Sequence, residues 1–537
     1  MASTATIAHP SLGTVRGKTA DDGSGVTQFL GIKYASLKDR FAPPELVKGD
    51  PKGTVEAGEF GPHVVCIPGA VDMEFGFIQQ TLPKPPTPPT SDLEGLNLNI
   101  TVPPASAQKP AGGWPVLVFI HGGGLFIGAN WWPQYDLKRL VRLGAERGVP
   151  FIGVNVGYRL GLPGFLTSAE MQQAGYKANN GLRDQATALK WVKENIAGFG
   201  GDPENVTAMG ESAGGASCLL QLQSDTPLFK RVISMAGTPI MMKPLPPAVA
   251  EHTYSAITAA FGLTSLSPAD RISALRTLPI ADLLSKAPPG LPLIFVADGD
   301  TVKETPSHAS LAPSLGPSGS SPWCAELLAG WCGYDANILT HMVPALSAPN
   351  VAQLFTTSFS ASLAAAGCAA GFAPKLFAAY AIDAAAPADA ALPAVVELAT
   401  DLLFRASARA YVGAWPDGAK AWLYDFELPN PWEGRWRGRP VHIMDVALLF
   451  LNFEEKLPDD GYRQAARGFA EEVLRFVAGG GARWDGRREV RVFGEGGART
   501  VASEEEVRAD RLAAVLEGEG VGLDVLGGAW AAFMQGK

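Results

Sequence analysis

The sequence predicts an α/β fold, a large and mostly parallel central sheet flanked by helices. Three observations carry this. Residues 206–209 (VTAM) read as a strand that runs through Gly210-Glu211-Ser212-Ala213-Gly214 straight into residues 213–222, which have the small start and apolar body of a buried helix. Residues 116–120 (VLVFI) read as a second buried strand, and it ends in His121-Gly122-Gly123-Gly124. Late in the chain, residues 325–329 (AELLA) and 420–426 (KAWLYDF) read as further strands, set far enough apart for helical crossovers between parallel neighbours.

Each element has its own reason. The glycine loop after residue 120 lets backbone N–H groups approach a substrate oxygen with no Cβ in the way, as an oxyanion hole requires. Glycine is abundant here, 61 of 537 residues, so G-x-S-x-G alone is a weak signal. The flanking strand and helix make it a nucleophile elbow, a strained turn that tolerates only small neighbours. A strand ending in HGGG about ninety residues ahead of a strand ending in G-x-S-x-G is the order of an α/β-hydrolase sheet. Residues 354–373 are uncharged but carry hydroxyls and glycines, and they read as a buried helical hairpin rather than a membrane span. Residues 82–90 (LPKPPTPPT) form a stiff extended loop, and the Ala-rich residues 374–394 are helical. Residues 478–488 are a Gly/Arg turn region before a possible edge strand at 489–493, and 503–517 opens as a helix with Ser503 as N-cap.

In such a fold the catalytic serine is followed by an acid and then by a histidine. Of the seven histidines, His9, His63 and His121 precede Ser212, and His252 and His308 leave no room for an acid-bearing strand. His341 and His442 remain. His442 is favoured because it follows the strand at 420–426 by one loop, whereas His341 sits in an apolar stretch. Asp335, on the loop after residues 325–329, is the candidate acid, with Glu326, Asp298 and Asp300 as rivals that spacing does not eliminate.

At these residues the chain resembles the type-B carboxylesterase family. Phe29 to Ala35 (FLGIKYA), Arg40 to Pro44 (RFAPP), Leu96 to Pro103 (LNLNITVP), Tyr158-Arg159-Leu160 with Gly164-Phe165-Leu166, and Asn180 to Gln185 leading into FGGDP and GESAGG are all similar to family elements. The resemblance implies an ester hydrolase working through an acyl-enzyme. In that scheme Ser212 is the nucleophile, His442 the base and Asp335 the acid where the family usually has Glu. The amides of Gly123, Gly124 and Ala213 form the oxyanion hole, and Asp445 completes an H-x-x-[DE] pattern. It implies no cofactor and no metal. Two other readings stay open: a tailoring enzyme on a secondary metabolite (lactonase, acyltransferase or non-hydrolytic catalyst), and a non-catalytic binding protein of the same fold. The chain departs from the family in three places. Cys66 occupies a family disulfide position, but its partner position is Gly95, so that bridge cannot form. No Trp lies between Cys66 and Gly95 to face a quaternary ammonium, which argues against choline esters. Ala236 precedes Gly237 where the family often has Ser. Phe126, Trp131 and Trp132, just after the oxyanion loop, are the candidate substrate-binding residues, with ordinary packing as the alternative.

Composition bounds the rest. The motifs spread over one sheet topology, so residues 1–537 are expected to form a single domain rather than the several that length alone allows. A net charge of −9 without a basic cluster argues against a nucleic-acid partner. A small-molecule ester as the partner is what the family resemblance implies. Residues 1–10 lack the pattern of a secretory signal, and five cysteines form no disulfide framework, which points to a reducing, cytoplasmic setting. The sequons at Asn99 and Asn205 fall on expected strands and are read as chance.

Overall fold

The computed structural model describes residues 3–316, 323–416, 420–502 and 510–537. Its main sheet has thirteen strands. In chain order these include β1 (Thr4–His9), β2 (Gly13–Thr19), β3 (Thr27–Lys33), β4 (Asn97–Val102), β5 (Trp114–Ile120), β6 (Ile152–Val156) and β7 (Gly201–Glu211). They continue with β8 (Arg231–Met235), β9 (Glu326–Cys332), β10 (Lys420–Phe426), β11 (Glu489–Gly494) and β12 (Gly497–Ala502), and a short strand, Thr54–Glu56, lies beside β2. The spatial order is β1-β2-β3-β4-β6-β5-β7-β8-β9-β10-β11-β12.

From β6 to β11 every pairing is parallel. Antiparallel strands finish the sheet at both ends. Parallel strands are covered by helices on both faces, so they need unbroken apolar runs. That is why every residue of β5 and of β9 is buried. β1, at an antiparallel end, alternates between more and less exposed positions instead. The order puts β5 and β8 on either side of β7, so the glycine loop after β5 and the serine after β7 emerge side by side at the carboxyl ends of neighbouring strands.

The sequence reading holds for most elements and misses in instructive places. The strand expected at 325–329 runs on to Cys332. Gly330 is no turn signal: a Cβ there would lie 2.2–2.3 Å from the Tyr424 ring, so glycine marks close packing. The expected edge strand at 489–493 forms as β11, but it is not the edge. Gly496 and Gly497, with φ of 86° and 98°, turn the chain back, and β12 pairs outside it. Residues 374–394 are not one helix. Helix Phe372–Ala379 stops before Ala381 (φ 54°), and helix Ala388–Ala399 restarts after Pro387. The hairpin expected at 354–373 is present as Val351–Ala365 and Phe372–Ala379, and among the described residues no helix is long and apolar enough to cross a membrane. Ser503 lies outside the described residues; the helix Arg511–Leu516 is capped by Asp510. All five cysteines are free thiols, and Gly95 sits so close to Val64 that a side chain there would strike its backbone nitrogen at 2.6 Å.

Candidate active site

Ser212 is the single residue between β7 and the helix Ala213–Leu220, and its φ of 54° with ψ −122° lies where L-residues are strained by about 1–3 kcal/mol. Neighbouring backbone holds it there. Its N–H donates to the Met235 carbonyl at 2.8 Å, and its carbonyl accepts from Ala216 N–H at 3.0 Å. The surrounding glycines are steric necessities. A Cβ on Gly210 would sit 2.2 Å from the Gly214 carbonyl, one on Gly214 2.0 Å from the Ile120 oxygen, and one on Gly237 1.8 Å from the Ser212 oxygen.

The glycine loop lies against this elbow. A Cβ on Gly122 would approach Glu211 Oε2 to 2.3 Å and Ser212 Cβ to 3.0 Å. Gly123 and Gly124 have φ of 90° and 63°. The first of these also packs its Cα against the Ile127 carbonyl, which a Cβ would meet at 2.2 Å. Ala213 opens its helix, so its N–H has no intrahelical acceptor. His121 is structural. It is stacked on Tyr158 at 4.5 Å, its carbonyl accepts from the Tyr158 hydroxyl at 2.7 Å, and burial pushes its imidazole down to about 4.

Asp335 opens the 3-10 turn Asp335–His341 directly after β9. Its Oδ2 accepts from the Cys332 N–H at 2.7 Å, and its Oδ1 accepts from His442 Nδ1 at 2.6 Å. The His442 loop is pinned to the same turn. Tyr334 N–H donates to the Pro440 carbonyl at 2.9 Å, and His442 N–H donates to Asn337 Oδ1, also at 2.9 Å. Asn337 was not singled out in the sequence, where nothing marks it beyond its place two residues after the acid. The rivals lie elsewhere. Glu326 faces Arg231 at 3.3 Å, and Asp298 and Asp300 face Arg183 at 3.4 and 2.9 Å. His341 is exposed, with its ring against Phe77 at 4.8 Å.

With Nδ1 on Asp335, His442 Nε2 faces the elbow, 3.1 Å from Glu211 Oε1. Neither Glu211 oxygen has a hydrogen bond of good geometry, and Glu74 Oε2 nearby is equally unpartnered. Asp445 is better satisfied. Its Oδ2 accepts from the Tyr424 hydroxyl at 2.7 Å and its Oδ1 from Val446 N–H at 2.8 Å. Burial raises all these carboxyls: Glu211 well above the usual range, Glu74 to about 7 and Asp445 to about 6. Burial alone would lower the His442 imidazole, but Glu211 and then Asp335 outweigh it and hold it at about 9. The two groups titrate together: Glu211 raises the His442 imidazole, and His442 opposes the burial that raises Glu211.

The aromatic candidates separate. Phe126 stands beside the glycine loop, with Cδ2 3.9 Å from where a Gly124 Cβ would be. Trp131 and Trp132 are buried against His63 and Tyr135, and they wall a separate cavity of about 380 Å³ over β3, β4 and β6. Neither Ser212 nor the glycine loop lines that cavity.

Residues 4–478 match the model of the carboxylesterase family. A para-nitrobenzyl esterase of Bacillus subtilis (strain 168) is 31% identical over 458 residues, covering 83% of each chain. A probable N-octanoylanthranilate hydrolase of Rhodococcus erythropolis is 37% identical over 230 residues, 42% of this chain and 45% of the relative, so that match spans about half of each protein. A solved PNB esterase superposes with a TM-score of 0.71 at 26% identity, covering 94% of this chain and 99% of the other.

Proposed function

The chain belongs to the carboxylesterase family and is an ester hydrolase with the α/β-hydrolase fold, and from that premise we propose that Ser212, Asp335 and His442 are its catalytic triad. The amides of Gly123, Gly124 and Ala213 serve as its oxyanion hole. Ser212 Oγ attacks the ester carbonyl carbon while His442 Nε2 takes the hydroxyl proton. The carbonyl electron pair moves onto oxygen, where the three amides receive it. Collapse expels the alcohol, which leaves with the proton from His442. Water then attacks the acyl-enzyme and gives its proton to His442. The second collapse releases the acid and returns that proton to Ser212. Asp335 fixes the tautomer and stabilises the imidazolium throughout. Protein groups and water account for every proton and electron pair in this cycle.

The observation that carries the assignment is the 2.6 Å bond from His442 Nδ1 to Asp335 Oδ1, made beside a serine held at φ 54°. The substrate in this reading is a small carboxylic ester. Five free thiols fit a reducing compartment, so we place the enzyme in the cytoplasm. Ser212→Ala tests the reading with p-nitrophenyl esters of rising chain length, alcohol acceptors in parallel, and fluorophosphonate labelling. Turnover should fall by about 10⁴-fold or more with labelling abolished. A mutant labelled at the wild-type rate would overturn it.

A further inference from the structure

The solvent-facing side chains around the glycine loop differ from the buried residues behind them in both polarity and charge. Met342 is 55% exposed although it touches the oxyanion loop: its Cε lies 3.6 Å from where a Gly124 Cβ would be. Phe126, 37% exposed, flanks the same glycine. On the helix Ala70–Ile78, Met73 (44% exposed) lies one turn before Phe77, whose ring packs on His341, the neighbour of Met342. Solvent-facing thioethers and a ring gathered at one opening form a flexible apolar surface.

Beside it stands a cation. The chain at 434–436 is docked on the end of that same helix. Trp436 N–H donates to Gln79 Oε1 at 2.8 Å, and Gly434 approaches Gln79 so closely that a Cβ would lie 2.3 Å from the same oxygen. The Trp436 ring lies 5.7 Å from Tyr334, next to Asp335 in the chain. Arg435 is exposed, with its guanidinium 4.8 Å over the Trp436 ring. The other two arginines of the segment are paired, Arg437 with Glu433 and Arg439 with Glu397 at 3.5 Å. Arg435 has no carboxylate within ion-pair distance among the described residues. Its field reaches His341, a surface residue whose ring is packed against Phe77; that partial burial and then Arg435 hold the imidazole below its ordinary value.

We propose that this rim recognises an anionic ester: a substrate with an apolar spacer next to the scissile carbonyl, lying on Met342 and Phe126, and a carboxylate beyond it, held by Arg435. The proposal rests on Ser212 being the nucleophile. A guanidinium stacked on an indole is pre-organised for a carboxylate, and its cost of desolvation is low at the surface.

The test compares each carboxylate ester with its neutral carboxamide counterpart. One arm puts the charge on the acyl side, as p-nitrophenyl hydrogen adipate and suberate. The other puts it on the alcohol side, as 4-carboxyphenyl hexanoate. In at least one arm, Arg435→Gln should lower kcat/KM for the carboxylate by about three- to tenfold, mainly through KM, and leave the carboxamide unchanged. Arg435→Lys should restore part of the loss, and high salt should shrink the wild-type preference. Equal changes for carboxylate and carboxamide, or no change in either arm, would overturn the proposal. Failure of the wild type to hydrolyse even the carboxamides would instead remove the serine-hydrolase reading beneath it.

Discussion

Two buried charged regions of this molecule are built on opposite terms. At the first, Arg159 (2% exposed) meets Asp184 (0%) through Nη2 at 2.7 Å and Nε at 2.8 Å, and its backbone N–H adds a third bond at 3.0 Å. Its Nη1 donates to the Arg40 and Ala42 carbonyls at 3.0 and 2.7 Å. At the second, around His442, Glu211 has no well-formed hydrogen bond on either oxygen, and Glu74 has one oxygen unpartnered. Burying charge is costly wherever it happens. In the first region bonds to both carboxylate oxygens offset the cost, and the result is rigid and inert. In the second the cost is left partly uncompensated, and it appears as protons that are easily moved. Unsatisfied buried acids next to a strained serine separate a reactive centre from a structural ion pair more sharply than burial does.

Within this comparison the largest expected effect is at Asp335. Asp335→Asn should lower kcat by about 10³- to 10⁴-fold because the wrong imidazole tautomer is favoured, with the melting temperature nearly unchanged. Stopped-flow ester hydrolysis and calorimetry on the same preparation check both halves. The mirror experiment is Asp184→Asn, which leaves the Arg159 charge buried without its partner. Stability should drop by about 3–5 kcal/mol in urea unfolding, while kcat per folded molecule stays at the wild-type value. If the two mutants exchanged phenotypes, the division between the regions would be wrong.

A smaller effect sharpens the comparison. In the proposed triad His442 must be neutral to act as base, and its imidazole is held at about 9, with Glu211 the leading carboxylate raising it. The rising limb of kcat/KM against pH should therefore be alkaline in the wild type. Glu211→Gln removes that influence, so the proton leaves His442 more easily and the limb should move to lower pH by about one unit. A limb that stays in place would mean that Glu211 carries no charge in the free enzyme.

Much of this was legible in the chain because backbone demands write themselves into sequence. Gly210, Gly214 and the glycines after His121 are required by backbone meeting backbone, and buried parallel strands require runs such as VLVFI. Asp335 and His442 each follow a strand at its carboxyl end, which makes them candidates, but preferring Asp335 to its rivals rests on the family resemblance. What could not be read depends on side chains from distant segments. Glu211 looked like a free position of the G-x-S-x-G pattern, yet it touches His442. Nothing in the sequence sets Glu74 apart, yet it lies in the core with Gln134 on one oxygen. Trp131 and Trp132 follow the oxyanion loop in sequence but turn toward another cavity. β12 escaped notice because its strand, GARTVA, is short and half polar, and only pairing with β11 defines it.

The bond between His442 and Asp335 joins residues 107 positions apart, and β9 and β10, which bring them there, are parallel neighbours. Parallel strands cannot be joined by a tight turn, and contacts of such separation form late. On the proposed triad, a ribosome-bound chain folds its serine elbow and glycine loop while the proposed base is still untranslated. The nascent protein would then carry its nucleophile without the group that activates it. Ester hydrolysis would begin only once β9 and β10 have joined the sheet.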